Sequence, residues 1–503
     1  MMTTLYNPLV NGFHPDPSVV RVDDVWYLAT STFEYLPGIP IHRSHDFETW
    51  ELIGHVATRP GQLGVEDVPT AGGAWAPTLR HRDGVFHLVV SDAMGRGMLH
   101  FTATDAAGPW SDGASILDVD GIRPLDGIDP DIAWDHDGTV VITYSGLILD
   151  GPERGRHLGI QQARVDLDTH RATEPVRSIW SGTGGQFPEA PHLYAHEGRW
   201  YVLIAEGGTE RGHGISIARG DRPDGPFETA PHNPLVSARS TIRPVQNTGH
   251  GDLVVGPDGH WLCVLLGVRP RSMTRAFSAL GRETFVTPVR WRDDGWPEID
   301  PVQLSPRPGT AREISFDVPL DREWIAVRAL PGQVARVADG RLVLRGTGAT
   351  LDDPRPVFVG RRQEHLTNEV TVDIDVSSGT GGIAVRYDER FHVEVEAGDG
   401  AVRARAVVAG LVQEWRHEIG SAPMPLQLHI ASRRPEDAGG LARTSDVFHL
   451  AATVGGERIE LAEVDGRFLS SETAESFTGR VIGAYAVTGE VAVTRWRVSG
   501  SDE

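Results

Sequence analysis

The 503-residue sequence contains no lysine, only one cysteine and no long apolar run. All basic residues are therefore arginine, which we interpret as the codon bias of a GC-rich genome. Cys263 has no partner for an intramolecular disulfide, and within WLCVLLG it is expected to be a buried strand residue. The chain start, MMTTLYNPLV, lacks the basic and apolar regions of a signal peptide. These absences predict a soluble, cytoplasmic protein.

Positive charge and helical periodicity are also scarce. The formal net charge is −22, which argues against nucleic acid and anionic membranes as partners. No long stretch keeps a helical period, and the 58 glycines and 34 prolines favour turn-rich β-structure. Composition leaves the oligomeric state open, including a homo-oligomer.

Five related segments occupy the first 300 residues. They are DPSVVRVDDVWYLATS from Asp16, APTLRHRDGVFHLVVS from Ala76, DPDIAWDHDGTVVITYS from Asp129, APHLYAHEGRWYVLIAE from Ala190 and, more loosely, HGDLVVGPDGHWLCVLLG from His250. Each has a short apolar strand, a turn rich in Asp and Gly, and a second strand of aromatic and β-branched residues. This pattern is typical of a β-hairpin.

Five β-units with a spacing of 53 to 61 residues predict a five-bladed β-propeller. A β-sandwich with accidental internal similarity is the alternative. In a propeller the innermost strands line a central channel, so the first residues of the five segments would meet at one mouth. That mouth would collect Asp16, Asp129 and His250, together with Trp75 and Glu189, which immediately precede two of the segments.

Three carboxyl groups at one channel mouth cannot be equally acidic, because like charges and burial separate their pKa values. A charged carboxylate beside a neutral carboxylic acid is what hydrolysis of a glycosidic bond requires. Asp16, held between two prolines, suits a base that positions water. Glu189 is longer and suits an acid that reaches the leaving oxygen. Asp129 would raise the pKa of that acid and orient it.

The same mouth offers contacts for a sugar. Trp75 and Phe33 present flat apolar faces, and His250 can hold a water, a cation or a carboxylate. Each residue also has a plain structural explanation. Asp-Pro is a common turn pair, Trp75 alone would be core, and a channel histidine is more often hydrogen-bonded than metal-bound. The functional interpretation therefore depends on convergence of these residues.

Six motifs resemble the signatures of glycoside hydrolase family 43, in its β-xylosidase branch: NGFHPDPSV, GAWAPTL, GIDPDIAWDHDG, PEAPHLY, NTGHGDLV and GRETFVTPVRW. The resemblance implies a five-bladed propeller and an inverting mechanism, with Asp16 as base, Asp129 as pKa modulator and Glu189 as acid. Arg282 matches an arginine that binds substrate hydroxyls, and Phe33, Trp75 and His250 match pocket-lining positions. Inversion needs carboxyl groups about 6.5–9.5 Å apart to admit water.

One position departs from the family pattern. DPDIAW carries Asp131 where a small residue is more usual. Asp131 would change the electrostatics if it pointed into the channel, and we expect instead a turn residue that points away.

A second domain is predicted after SPRPGT, which divides the chain into 1–308 and 309–503. Segments such as VTVDIDVSS and FHLAATV alternate apolar and polar residues, as in an antiparallel β-sandwich. This part resembles the concanavalin-like C-terminal domain of the same branch, in which a loop with two adjacent aromatic residues closes the pocket. SFTGRVIGAYA supplies one, Phe477. A sandwich that only caps the propeller is the alternative.

The sequence thus predicts an exo-β-xylosidase acting on β-1,4-xylooligosaccharides. The alternatives are α-L-arabinofuranosidase activity on the same scaffold, where the substrate is an arabinosyl oligosaccharide, and a non-catalytic carbohydrate-binding propeller. No organic cofactor or metal is required. The acidic groups of the mouth could also hold a structural calcium near His250, since calcium prefers oxygen ligands.

Overall fold

The structure, a computed structural model, describes residues 5–420, 425–435 and 441–502. These residues form a propeller followed by a β-sandwich, which confirms the predicted all-β fold class. Helical structure within the described ranges is limited to α1 (Pro331–Val334), a 3₁₀ turn (Gly466–Leu469) and α2 (Ser471–Ala474). None of these helices is long and apolar enough to cross a membrane.

Each of the five blades is an antiparallel sheet. In each blade the strands are given from the axis outward. The first blade contains β1 (Ser18–Val22), β2 (Val25–Ala29), β4 (Gly38–Ser44) and β5 (Glu51–Ala57), and β3 (Tyr35–Leu36) lies in the β2–β4 connection. The second blade contains β6 (Gly73–Arg82), β7 (Val85–Ala93), β8 (Gly97–Ala103) and β9 (Ala114–Ser115).

The third blade contains β10 (Ile128–Trp134), β11 (Val140–Leu147), β12 (His157–Asp166) and β13 (Arg171–Ala172), and β14 (Arg177–Trp180) also pairs with β12. The fourth blade contains β15 (Glu189–His196), β16 (Arg199–Glu206), β17 (Gly214–Gly220) and β18 (Glu228–Thr229). The fifth blade contains β19 (Gln246–Val255), β20 (Trp261–Val268), β21 (Glu283–Trp291) and β22 (Pro297–Ile299).

The five sequence repeats coincide with the inner hairpins. β1–β2, β6–β7, β10–β11, β15–β16 and β19–β20 each pair in antiparallel register. Their first strands, β1, β6, β10, β15 and β19, lie side by side around the axis. The chain start closes the ring, because Val10 bridges to Thr284 in β21 and Asn7 to Ser305. The repeat therefore encodes the inner wall of the propeller.

Beneath the mouth, the axis is filled by an axial cluster that we define as Arg80, Asp131 and Asp252. Arg80 donates to Asp131 at 2.9 Å and to Asp252 at 2.8 Å, and both carboxylates are fully buried. The expectation that Asp131 is a turn residue pointing away is wrong. Asp131 lies within β10, and an arginine from the neighbouring blade together with the backbone N–H of Leu193 holds its carboxylate in the channel.

The axial cluster joins all five blades. Arg80, from the second blade, also lies 3.0 Å from His192 Nδ1 in the fourth and 3.2 Å from Ser18 Oγ in the first. Tyr194 Oη donates to Asp252 at 2.6 Å. Burial raises the pKa of Asp252, but the Arg80 charge and these hydrogen bonds outweigh burial and hold it far below its usual value. The cluster therefore forms a charged floor under the mouth.

The second domain is a two-layer sandwich. Its strands are β23 (Thr310–Ile314), β24 (Ile325–Val327), β25 (Ala335–Ala338), β26 (Arg341–Arg345), β27 (Val357–Arg362), β28 (Thr367–Asp388), β29 (Phe391–Gly398), β30 (Ala401–Val408), β31 (Leu411–Glu418), β32 (Leu426–Arg433), β33 (Val447–Val454), β34 (Glu457–Asp465) and β35 (Val481–Ser501). The long strands β28 and β35 pair with each other along both layers, and their register shifts near Ile374 and Gly381. The buried core lies between the layers and includes Trp324 and Trp496.

The two domains share a sheet. β3, which leaves the first blade, pairs with β24 of the sandwich through Leu36–Ala326 and Tyr35–Val327. The last propeller strand, β22, ends at Ile299, and β23 begins at Thr310. The sandwich is therefore attached to the face of the propeller that carries the channel mouth, close to Phe33.

Candidate functional site

A cavity of about 230 Å³ opens at the channel mouth. Its lining includes all eight residues that the sequence singles out, namely Asp16, Phe33, Trp75, Asp129, Glu189, His250, Arg282 and Phe477. Seven come from the propeller and Phe477 comes from the sandwich. The structure thus brings together residues separated by up to 461 positions in the chain.

Local backbone geometry explains this convergence. Asp16, Asp129, Ala190 and His250, the first residues of four repeats, have φ of 55°, 54°, 52° and 49°. This left-handed conformation is uncommon for residues other than glycine and is often found at functional sites. In β10, β15 and β19 it coincides with a shift of strand register. Such bulges re-aim side chains, here at the cavity.

Asp16 is held as a charged carboxylate. Ser31 Oγ donates to its Oδ2 at 2.6 Å, Arg282 Nη1 donates to its Oδ1 at 2.9 Å, and His250 Nδ1 lies 3.6 Å from Oδ1. Burial raises the pKa of Asp16, but Arg282, His250 and the Ser31 hydrogen bond together bring it below its usual value. Asp16 therefore remains ionised at neutral pH.

The pKa of Glu189 is shifted in the opposite direction to that of Asp16. Burial raises its pKa well above the usual value, and the nearby Asp129 and Asp16 charges raise it further. Burial and the charge of Asp16 also raise the pKa of Asp129 to about 7, although Asp129 accepts a hydrogen bond from Ala190 N–H at 3.1 Å. One cavity thus places Asp16, whose pKa is lowered, beside Glu189, whose pKa is raised, and acid/base chemistry requires this separation.

Three aromatic rings form one side of the cavity. Phe477 stacks on Phe33 at 6.1 Å between centroids and meets Trp75 edge-on at 5.4 Å. The Arg282 guanidinium lies 5.2 Å from the Phe477 ring centroid, and its Nη2 donates to the Phe477 carbonyl at 3.3 Å. Trp75 is fixed by a 2.7 Å hydrogen bond from its indole N–H to Ala71 O. The sandwich therefore completes the cavity wall.

Close backbone contact places Phe477 there. A Cβ on Gly479 would lie 2.3 Å from Leu280 O, and one on Gly281 would lie 2.6 Å from Thr478 O. Both positions thus require glycine. Nearby, Ser278 donates to Glu472 through its backbone N–H and its hydroxyl, each at 2.7 Å. These contacts seat the Phe477 loop beside Arg282.

His250 is buried, and burial lowers its pKa to about 3, although the neighbouring Asp16 opposes that shift. It is therefore neutral and can hold a water or a cation. In the described part of the chain, no three His, Cys, Asp or Glu side chains are arranged to hold a metal ion. The calcium near His250 stays a prediction.

Several residues of the site were not predicted from the sequence. Phe187 lines the cavity from the connection between the third and fourth blades, and Thr209 and Glu210 line it from the β16–β17 connection. Ser31 anchors Asp16 from the end of the first hairpin. Thr209 Oγ1 accepts a 3.2 Å hydrogen bond from Arg282. Phe187, Thr209 and Glu210 lie outside the repeated strands, where no register marks them, whereas Ser31 is the last residue of the first repeat. Phe187 was nevertheless detectable, as it lies two residues before Glu189.

The profile of glycosyl hydrolases family 43 matches residues 5–297, more than half of the chain. The chain belongs to glycoside hydrolase family 43. Residues 315–496 of this family 43 enzyme match the beta xylosidase C-terminal concanavalin A-like domain. Both matches confirm the resemblance inferred from the motifs.

Related proteins share both domains with the family 43 enzyme. It is 31% identical to a non-reducing end alpha-L-arabinofuranosidase of Bacteroides ovatus, over 96% of this chain and 91% of the relative. It is 30% identical to xylosidase/arabinosidase 43B of Humicola insolens, over 96% and 95%. The crystal structure of a xylan beta-1,4-xylosidase from Bacillus halodurans has a TM-score of 0.86 at 28% identity, covering 98% of this chain and 99% of that one.

Proposed function

We propose that this family 43 hydrolase is an exo-β-xylosidase that releases xylose from the non-reducing ends of β-1,4-xylooligosaccharides with inversion. The observation that carries the proposal is a single cavity that joins Asp16, held by Arg282 and Ser31 with a lowered pKa, to Glu189, whose pKa is raised. At about 230 Å³ the cavity is smaller than the roughly 300–1,000 Å³ of most ligand clefts. It suits one terminal sugar better than the middle of a chain.

The proposed mechanism assigns one proton transfer to each carboxyl group. Asp16 takes a proton from a water as that water attacks the anomeric carbon. Glu189 gives its proton to the glycosidic oxygen as the bond breaks, so the shortened chain leaves as an alcohol. Asp129 acts through Glu189, because the negative charge of Asp129 raises the pKa of Glu189. Arg282 holds Asp16, and the aromatic side of the cavity packs against the sugar.

The second candidate is α-L-arabinofuranosidase activity, alone or beside the first. The observation in its favour is the full-length similarity to the Bacteroides ovatus arabinofuranosidase. The two sugars carry similar hydroxyl groups, and pocket shape separates such substrates by only about 1–3 kcal/mol. A non-catalytic carbohydrate-binding propeller is disfavoured, because it has no need of separated carboxyl pKa values.

A two-substrate assay decides between these activities. We expect kcat/KM for 4-nitrophenyl β-D-xylopyranoside to exceed that for 4-nitrophenyl α-L-arabinofuranoside by about tenfold or more, corresponding to 1.4 kcal/mol. The reverse order would make the arabinofuranosidase the main activity. Binding of xylooligosaccharides without release of reducing sugar would support the carbohydrate-binding alternative.

The pH profile of kcat/KM is expected to reflect both carboxyl groups. Activity should fall in acid as Asp16 gains a proton, below its usual pKa, and in alkali as Glu189 loses its proton at a raised pKa. Asp129→Asn removes a negative neighbour of Glu189, so the alkaline limb should move to lower pH. An alkaline limb that stays in place, or moves to higher pH, would contradict the role given to Asp129.

We infer that turnover needs no metal, since the Arg282 guanidinium already supplies positive charge beside Asp16. Treatment with EDTA followed by gel filtration should leave kcat unchanged. Loss of activity that calcium restores would instead support the cation near His250.

The cytoplasmic location stays a proposal, as does the absence of nucleic-acid and membrane partners. Both agree with an enzyme that acts on short oligosaccharides after their import. Fractionation of the source cells tests the location, and native mass measurement tests the homo-oligomer.

A further inference from the structure

Phe187 is an aromatic side chain that the mechanism above does not use. It lines the cavity, yet 41% of it is exposed. It belongs to none of the hydrophobic clusters formed by the described residues. Its φ of 48° is an outlier for a bulky residue and points to a local constraint. Core packing therefore does not explain its position.

The segment before Phe187 is held firmly in place. The Glu206 carboxylate, which is buried at the end of β16, accepts hydrogen bonds from Thr183 N–H at 2.7 Å, Thr183 Oγ1 at 2.7 Å and Gly185 N–H at 3.2 Å. Gly207 N–H donates to Gln186 O at 2.7 Å. These hydrogen bonds fix the segment that ends at Phe187. Its exposed aromatic ring is therefore pre-organised for contact with a bound ligand.

The surroundings of Phe187 differ from those of the three rings on the other aromatic side of the cavity. Its aromatic neighbour is His157, at 6.3 Å and nearly perpendicular, rather than Phe33, Trp75 or Phe477. Gly208 lies between Phe187 and Glu210, and a Cβ there would be 3.4 Å from the Phe187 ring and 3.1 Å from a Glu210 carboxylate oxygen. The Phe187 ring and the Glu210 carboxylate therefore both lie close to Gly208 and line the cavity together, one as a flat apolar surface and the other as a hydrogen-bond acceptor.

We propose that Phe187 is the stacking platform for the sugar that leaves, and that Glu210 accepts hydrogen bonds from its hydroxyls. The proposal rests on the proposed function of Glu189 as the acid. Because the acid protonates the oxygen of the leaving sugar, that sugar must lie on the Glu189 side. Phe187 is two residues away, at most about 7 Å along the backbone. The Glu210 carboxylate also makes this position unfavourable for a sugar that carries a carboxylate of its own.

The test compares xylobiose with methyl β-D-xylopyranoside. Both need protonation by Glu189, but only xylobiose places a sugar against Phe187. In Phe187→Ala we expect the ratio of kcat/KM for xylobiose to that for the methyl xyloside to fall about tenfold. Phe187→Leu should give an intermediate ratio, and Phe187→Trp should restore it. Ile242→Ala, at an 89% exposed position of the propeller outside the cavity lining, is the matched control.

Two results would overturn the assignment. One is an equal loss on both substrates, which would mean that Phe187 positions Glu189. The other is an unchanged ratio in both Phe187→Ala and Phe187→Leu. Failure of the proposed function is a separate outcome, recognised when the unsubstituted enzyme hydrolyses neither xyloside. If the enzyme prefers arabinofuranosides, the same comparison uses the methyl and xylosyl α-L-arabinofuranosides.

Discussion

Glu189→Gln is expected to lower kcat on xylobiose by about 10²–10⁴-fold, the usual contribution of a general acid. The xylose that leaves from xylobiose is a poor leaving group without a proton. The loss should therefore be much smaller for 2,4-dinitrophenyl β-D-xylopyranoside, whose leaving group departs as a weak base. Comparison of kcat for the two substrates measures this difference. Its raised pKa makes Glu189 the proton donor.

Asp16→Asn provides the contrast, because the attacking water needs a base whatever group leaves. It should slow both substrates by similar factors. Glu298→Gln, an exposed propeller carboxylate, is a control that should leave both rates unchanged. Equal loss on both substrates in Glu189→Gln would contradict the assignment of Glu189 as the acid.

Arg80→Met is expected to destabilise the propeller by about 3–5 kcal/mol, the range found when one partner of a buried ion pair is removed. Two fully buried carboxylates, Asp131 and Asp252, would lose their shared cation. Urea unfolding measures the change in the free energy of unfolding. Addition of Asp252→Asn to Arg80→Met should recover part of the loss, because one unpaired charge is then absent.

The effect should depend on pH in a defined direction. Arg80 depresses the folded-state pKa of Asp252, so its stabilising contribution is present above the unfolded-state pKa of about 3.9 and is lost as pH falls. The difference between Arg80→Met and the unsubstituted enzyme should therefore shrink in acid. Arg290→Met, which breaks an exposed pair with Asp300, should cost only about 0–1 kcal/mol. A similar small cost for Arg80→Met would refute the role of the axial cluster.

Much of the fold was predictable because one β-hairpin pattern recurs five times in the sequence. The repeat fixes which strands face the axis, and the axis then brings Asp16, Asp129 and His250 to one mouth. Their shared left-handed backbone was not predictable, since nothing in the residue types demands it. The structure shows that this left-handed backbone turns the side chains into the cavity.

The residues that sequence reasoning missed act across long distances or lie outside the repeats. The position of Asp131 depends on Arg80, 51 residues earlier, and no local pattern shows that pairing. The β3–β24 pairing depends on a two-residue strand in a connection. Phe187 lies in a glycine-rich segment whose shape is set by Glu206, so its exposure could only be seen in three dimensions.

The anomer released first from 4-nitrophenyl β-D-xylopyranoside tests the central claim most directly. Proton NMR during early turnover, before mutarotation, distinguishes the two anomers of xylose. A base at Asp16 and an acid at Glu189 acting on opposite sides of the sugar predict α-xylose as the first product. Initial release of β-xylose would contradict the account, because it would require a covalent intermediate on a carboxylate.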